Sequence, residues 1–135
     1  DTARINKLLF GTRTFNASRL LGRALNSLEL CCENKIAIIS ITQRDFDLCG
    51  AHEADSEGIV NYALEVAGVE AAVFLRQRGE GYKVSLRSSG RLDVSEIALL
   101  LGGGGHRMAA GCFINGSLEE AKRQIADMIS GRLVK

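Results

Sequence analysis

The run Gly102–Cys112, GGGGHRMAAGC, holds the residues best suited to chemistry: four consecutive glycines lead straight into His106 and Arg107. Each glycine raises the entropy cost of ordering the backbone, so four together point to a bare loop whose peptide N–H groups an anion can approach closely. The adjoining imidazole and guanidinium suit that anion to phosphate. His106 would then donate to a phosphoryl oxygen; a purely structural histidine is the plainer alternative. General acid catalysis would need a nucleophile and, for phosphoester hydrolysis, a metal cluster, and the sequence supplies neither. The run is not a Walker loop, because no Gly-Lys-Ser/Thr follows it. Nor is it a dinucleotide fingerprint, since its glycines follow a helix and precede a strand. A flexible linker remains the rival reading of the glycines. Against it stands His106-Arg107-Met108-Ala109-Ala110-Gly111, which is not linker composition and implies close backbone packing.

Charge places any anion site in the later part of the chain. The formal net charge is +1, too small for a protein that coats duplex nucleic acid. From Asp45 to Glu70 there are seven acidic residues and no basic one, whereas Arg76 to Arg107 has six basic and three acidic. The cysteines, Cys31, Cys32, Cys49 and Cys112, form no Cys-x-x-Cys pair. Reduced thiols in a cytoplasmic protein are the expectation. Cys49-Gly-Ala-His52 has the spacing of half a zinc site, but one half is a weak signal; a buried thiol and a surface histidine are the preferred reading, and no metal site is assigned.

Several elements must position these groups. A helix is predicted over Phe15 to Cys32, with Leu21, Leu25, Leu28 and Cys32 on one face. Lys35 to Thr42, KIAIISIT, reads as a buried strand. Asp45 to Cys49 suits a short helix, and Ser56 to Ala67 another, ended by Gly68. Glu70 to Gln77 and Tyr82 to Ser88 form a hairpin around Glu80-Gly81. A two-residue loop there puts Val73, Leu75, Val84 and Leu86 on one face, with Phe74 opposite Arg87. The other face carries Arg76, Arg78, Lys83, Ser85 and Arg87; both a solvated polar face and a basic binding surface are open readings of it. Asp93-Val-Ser-Glu96 starts a helix in the manner of a capping box, and Ile97 to Leu101 gives its apolar side. Ala110 to Asn115 reads as a strand. Ser117-Leu-Glu-Glu120 caps a last helix whose stripe is Leu118, Ala121, Ile125, Met128 and Ile129. These elements predict an α/β (α+β) fold: a single domain over residues 1–135 with a mixed sheet of about five strands packed with helices.

The bulk properties agree with that class. At 46% hydrophobic and 24% charged residues, wholesale disorder is excluded. No apolar stretch approaches the roughly 20 residues of a membrane helix. The N-terminus, DTARINK, lacks a signal-peptide core and an initiator Met, which suggests an excised domain.

Lys83-Val-Ser-Leu-Arg87-Ser88, followed by Gly102 to Gly111, resembles the C-terminal, DHH-associated domain of DHH-family phosphoesterases, of the oligoribonuclease and phosphoadenosine-phosphatase type. Asp55-Ser-Glu57-Gly58 ahead of a helix is similar to that family's pattern too, and the likeness covers nearly the whole chain. The resemblance implies a two-domain enzyme: an N-terminal domain with an Asp-His-His motif and manganese, and a C-terminal domain that holds substrate across a cleft. The family's phosphate and nucleotide contacts fall on Arg87, Ser88, Gly103, Gly104, Gly105 and His106. Lys83 and Ser85, on the same strand face as Arg87, join them. Cys112 stands where many relatives carry Phe or another apolar residue, a matter of packing. No Asp-His-His is present, and His52 and His106 are far apart. The chain is therefore expected to lack a catalytic residue and a metal of its own, and to be inactive alone, with residues from Asp1 to about Thr14 a remnant of an interdomain connection. Its implied partners are short single-stranded RNA or DNA or nucleotide phosphates, the N-terminal catalytic domain, and a second copy in a homodimer; no membrane is among them. A stand-alone single-stranded RNA-binding module and a structural interface domain are the alternative functions.

Overall fold

The computed structural model describes residues 11–133; the expected interdomain remnant lies largely outside them. The chain forms one mixed sheet from β1 (Glu29–Cys31), β2 (Ile36–Ile41), β3 (Ala71–Arg78), β4 (Gly81–Ser88), β5 (Gly104–His106) and β6 (Ala109–Asn115). Their order is β1-β2-β3-β4-β6-β5. Among the described residues only β2 and β3 run parallel. That pair needs a long crossover. It is supplied by α2 (Gln43–Cys49), a 3-10 turn (Glu53–Ser56) and α3 (Val60–Leu64). Among the described residues the remaining helices are α1 (Phe15–Asn26), α4 (Val94–Leu100) and α5 (Leu118–Ser130). Among the described residues no helix is long and apolar enough to cross a membrane.

The strand period of two divides the apolar residues between two cores. On one face Ile36, Ile38, Val73, Leu75, Val84, Leu86, Ala110, Cys112 and Ile114 pack against Val94, Ile97 and Ala98 of α4 and Ala121, Ile125 and Ile129 of α5. On the other face Ala37, Ile39, Ile41, Ala72 and Phe74 pack against α1, α2 and α3 through Leu20, Ala24, Phe46, Cys49, Val60 and Ala63. Among the described residues this second core takes its strand residues from β2 and β3. On that face α3 reaches over β4, with Val60 beside Ser85 and Arg87, while among the described residues the second core includes nothing from β5 or β6. The candidate site residues that point outward lie on β4 beyond α3 and on β5.

Four sequence expectations need correction. The helix predicted to Cys32 ends at Asn26, and Glu29–Cys31 pairs with β2 instead. The Ser27 hydroxyl donates to Ala24 O and accepts from the Ser40 amide, so one side chain closes the helix and starts the sheet. The buried stripe of α1 is Ala17, Leu20 and Ala24, with Leu25 exposed. The helix predicted over Ser56 to Ala67 is broken, because Gly58 adopts a left-handed φ of 83°. The hairpin loop is Gly79-Glu80, so Phe74 faces Ser85 and Ala72 faces Arg87. That slip is of two residues, which keeps every side chain on its predicted face. β1 and β5 bring the sheet to six strands.

Helix caps fix the ends of the elements around the site. Asp93 starts α4 by accepting from the Ser95 amide rather than through a reciprocal box. Bonds from Ser95 hold its carboxyl below the ordinary range. Ser117 and Glu120 form a true capping box on α5. At α2, burial works to raise the Asp45 carboxyl, but bonds from Thr42 and Arg23 outweigh it and the group lies below its usual value.

Candidate functional site

Directly paired residues in an antiparallel ladder share a face, so the register lays out the open half-sheet in rows. Arg87 pairs with Ala109, which pairs with His106. The next row is Phe74, Ser85, Gly111 and Gly104. Arg76, Lys83 and Phe113 follow, then Arg78, Gly81 and Asn115. Strand spacing sets the Arg87 and His106 backbones about 10 Å apart, within reach of a shared anion through their side chains. Arg87 donates to its own Leu86 carbonyl at 3.0 Å. Among the described residues no carboxylate lies within 4 Å of Arg87, Lys83 or His106. Three cationic or hydrogen-donating side chains thus stand on one face with their charge uncompensated by a close partner.

The glycine run divides by physical role. Gly102 has φ 83°, its amide donates to Leu99 O at 3.1 Å, and the Gly103 amide donates to Ala98 O at 2.8 Å. These two bonds are the Schellman end of α4, so both amides are engaged within the protein. A Cβ on Gly103 would stand 2.1 Å from Gly111 O, and one on Gly105, at φ 146°, 2.5 Å from Ala110 Cα. Gly104 differs: its φ is ordinary and a Cβ there would meet nothing within 4 Å. Internal packing and backbone conformation therefore account for Gly102, Gly103 and Gly105, while no neighbour of Gly104 among the described residues requires a glycine. Together with Gly111, Gly104 gives a smooth floor beside Ser85.

Ser88 lies elsewhere. It is 1% exposed, donates to Leu92 O at 2.7 Å and accepts from the Gly90 amide at 2.9 Å. Its hydroxyl is spent on the turn that leads to α4. Ser88→Ala is expected to lower stability by about 1–3 kcal/mol, by leaving the Gly90 amide unpaired, and to leave ligand affinity unchanged. Denaturant midpoint and dissociation constant measured on the same variant check both halves.

A groove of about 300 Å³ runs along the edge of the open half-sheet, floored by Phe74, Arg76, Ser85 and Arg87 and walled by Glu53, Ser56, Glu57 and Gly58. The Asp55-Ser-Glu57-Gly58 segment is thereby brought to the same site as the Arg87 strand. Arg76 was not among the candidate site residues. It is 8% exposed and pairs with Glu53 at 2.8 Å, pinning the 3-10 turn against the sheet. Its place on the polar parity of β3 was the available signal. Phe113, 40% exposed at the end of the third row, was also missed; nothing in its local sequence separates it from a core strand residue.

A family model described as the DHHA1 domain matches residues 34–135. The chain belongs to that family. This DHHA1 domain is 36% identical over 118 residues to the bifunctional oligoribonuclease and PAP phosphatase NrnA of Thermus thermophilus, covering 87% of this chain and 35% of that protein. It is 30% identical over 108 residues to a 3',5'-cyclic-nucleotide phosphodiesterase of Helicobacter pylori, covering 69% and 30% of the two chains. Among solved structures, an exopolyphosphatase-related protein from Bacteroides fragilis superimposes with a TM-score of 0.83 at 31% identity, over 94% of this chain and 38% of that one. The chain spans about a third of the length of these relatives. It is a DHH-family phosphoesterase-associated domain.

The manganese that the family resemblance implies does not fit this chain's own donors. Among the described residues no group of three or more His, Cys, Asp or Glu gathers. Cys49 is buried in the second core while His52 is exposed, so the Cys49-Gly-Ala-His52 spacing does not form half a zinc site. All four cysteines are free. Burial raises the Cys112 thiol above its ordinary value, consistent with a packing role beneath Gly103.

Proposed function

We propose that this domain holds the substrate of a DHH-family phosphoesterase that acts on short oligoribonucleotides or nucleotide phosphates. The observation that carries the reading is the polar face of β4 beside α3, continued by the open face of β6 and β5 among the described residues. Arg87, Lys83 and His106 surround the bare Gly104–Gly111 floor there, without a carboxylate in contact among the described residues. Arg87 supplies a planar fork for two phosphoryl oxygens. The His106 ring donates from the opposite side of the same row. Lys83 adds a mobile charge one row pair away, and Ser85 offers a hydroxyl between them. The lack of a side chain at Gly104 lets a ribose or phosphate lie against the backbone.

Hydrolysis is assigned to another part of the protein, which would carry the manganese and activate water. No step of that chemistry is routed through the present residues. The names of the relatives, an oligoribonuclease and PAP phosphatase and a cyclic-nucleotide phosphodiesterase, support a nucleotide phosphate as the ligand class. They also support a phosphodiesterase or phosphatase as the parent activity.

Fluorescence anisotropy of a labelled tetraribonucleotide, with and without a 5'-phosphate, tests the reading. Preference for the phosphorylated end, lost on Arg87→Ala, is expected. Binding that depends steeply on salt but ignores the chain end would favour a stand-alone RNA-binding module. No binding of either would leave an interface role for this face.

A further inference from the structure

The open half-sheet continues past the Arg87 row. Lys83 bends back over the floor, so that a Cβ on Gly111 would lie 3.9 Å from its Nζ. This puts the ammonium between the Arg87 row and Phe113. The Phe113 ring reaches the other way. Its Cε2 and Cζ occupy the space above Gly81, each 2.7 Å from where a Cβ on that glycine would stand. Gly81 shares the face of Lys83, Ser85 and Arg87, and only a glycine lets the ring settle there. The phenylalanine is still 40% exposed. Guanidinium and ammonium on β4 and the aromatic ring on β6 therefore share one face of the sheet, in the combination by which single-stranded nucleic acids are held.

We propose that Phe113, seated on Gly81, is a base-stacking platform for a nucleotide beyond the one whose phosphate Arg87 and His106 take, with Lys83 on the intervening backbone phosphate. The inference rests on the phosphate reading of the Arg87 row. Arg87 and Phe113 are two rows apart, about 14 Å along the sheet, and the ring leans further away. That separation exceeds the reach from a nucleotide's phosphate to its own base, so the stacked base belongs to a neighbour. The site is then built for a short oligonucleotide in preference to a mononucleotide, and Phe113 sets that preference.

The apolar cover of Gly81 is a structural role that Phe113 also performs, and a leucine would keep it. The test titrates the full 135-residue chain with AMP and with the 5'-phosphorylated trinucleotide of adenosine, following amide shifts by NMR. Wild-type protein, Phe113→Leu, Phe113→Trp and Arg87→Ala are compared. The trinucleotide is expected to bind wild type roughly 5- to 150-fold more tightly than AMP, the range of one base–aromatic stack. Phe113→Leu should bring it to the AMP value, Phe113→Trp should retain the preference, and AMP affinity should be equal in all three. A preference that survives in Phe113→Leu, or equal wild-type affinity for the two ligands, overturns the stacking role. In the second case Arg87-dependent AMP binding would leave the phosphate site standing. Failure of wild type to bind either ligand at millimolar concentration would overturn both.

Discussion

Gly103→Ala is expected to lower the folding stability of the domain by about 3 kcal/mol or more, while Gly104→Ala stays within about 0.5 kcal/mol of wild type. The two residues are neighbours in one run of glycine, and a sequence pattern treats them alike. A methyl at Gly103 would press on Gly111 O at 2.1 Å and on Cys112 Cα at 2.8 Å. Both are main-chain atoms of β6, which cannot swing aside as the end of a side chain can. Relief requires β5 and β6 to part, and with them the Schellman end of α4. At Gly104 the methyl meets nothing within 4 Å, yet it stands on the floor between Ser85 and His106. Gly104→Ala should therefore weaken oligoribonucleotide binding with its fold intact. Denaturant melts paired with binding titrations check the separation; equal midpoints for the two variants would contradict the packing argument.

Arg87→Ala is the second large effect, and it falls on affinity. The guanidinium has no carboxylate partner within 4 Å among the described residues. Its removal therefore leaves no buried charge orphaned, and stability should change little. Two charge-assisted bonds to a phosphate would be lost, worth about 1.5–3 kcal/mol, or roughly 10- to 150-fold in dissociation constant. Arg87→Lys should recover only part, because an ammonium keeps the charge but not the planar fork. The salt dependence should flatten as well, by about 0.7 in the log–log slope for one phosphate contact to a single strand. Unchanged affinity in Arg87→Ala would remove the residue from the site.

The sequence was most legible where the strand period alone decides the outcome. The hairpin loop sits one residue earlier than predicted, at Gly79-Glu80, and still Arg76, Lys83, Ser85 and Arg87 share the predicted face, because a two-residue slip preserves parity. It was least legible where two periods compete. Leu28 and Cys32 continue the spacing of α1, but the Ser27 hydroxyl caps the turn and Glu29–Cys31 gains a ladder with β2. Local periodicity carries no record of that tertiary partner. The glycine run shows a third limit. Composition suggested one bare anion loop; distances separate a helix end, two close backbone contacts and one glycine that faces outward. Ser88 and Arg87 are adjacent in the motif, yet alternation sends one into the core and the other onto the open face.

Phosphate, on the proposed reading, is held on the β4-β6-β5 face beyond the edge of α3. Amide chemical-shift mapping of the chain during titration with a 5'-phosphorylated diribonucleotide tests it most directly. Saturable shifts should centre on Ser85, Arg87, Gly104, His106, Ala109 and Gly111, and spare α5 and the core residues behind the sheet. Shifts confined to α4, α5 or the β1 edge, or none at millimolar ligand, would contradict the claim.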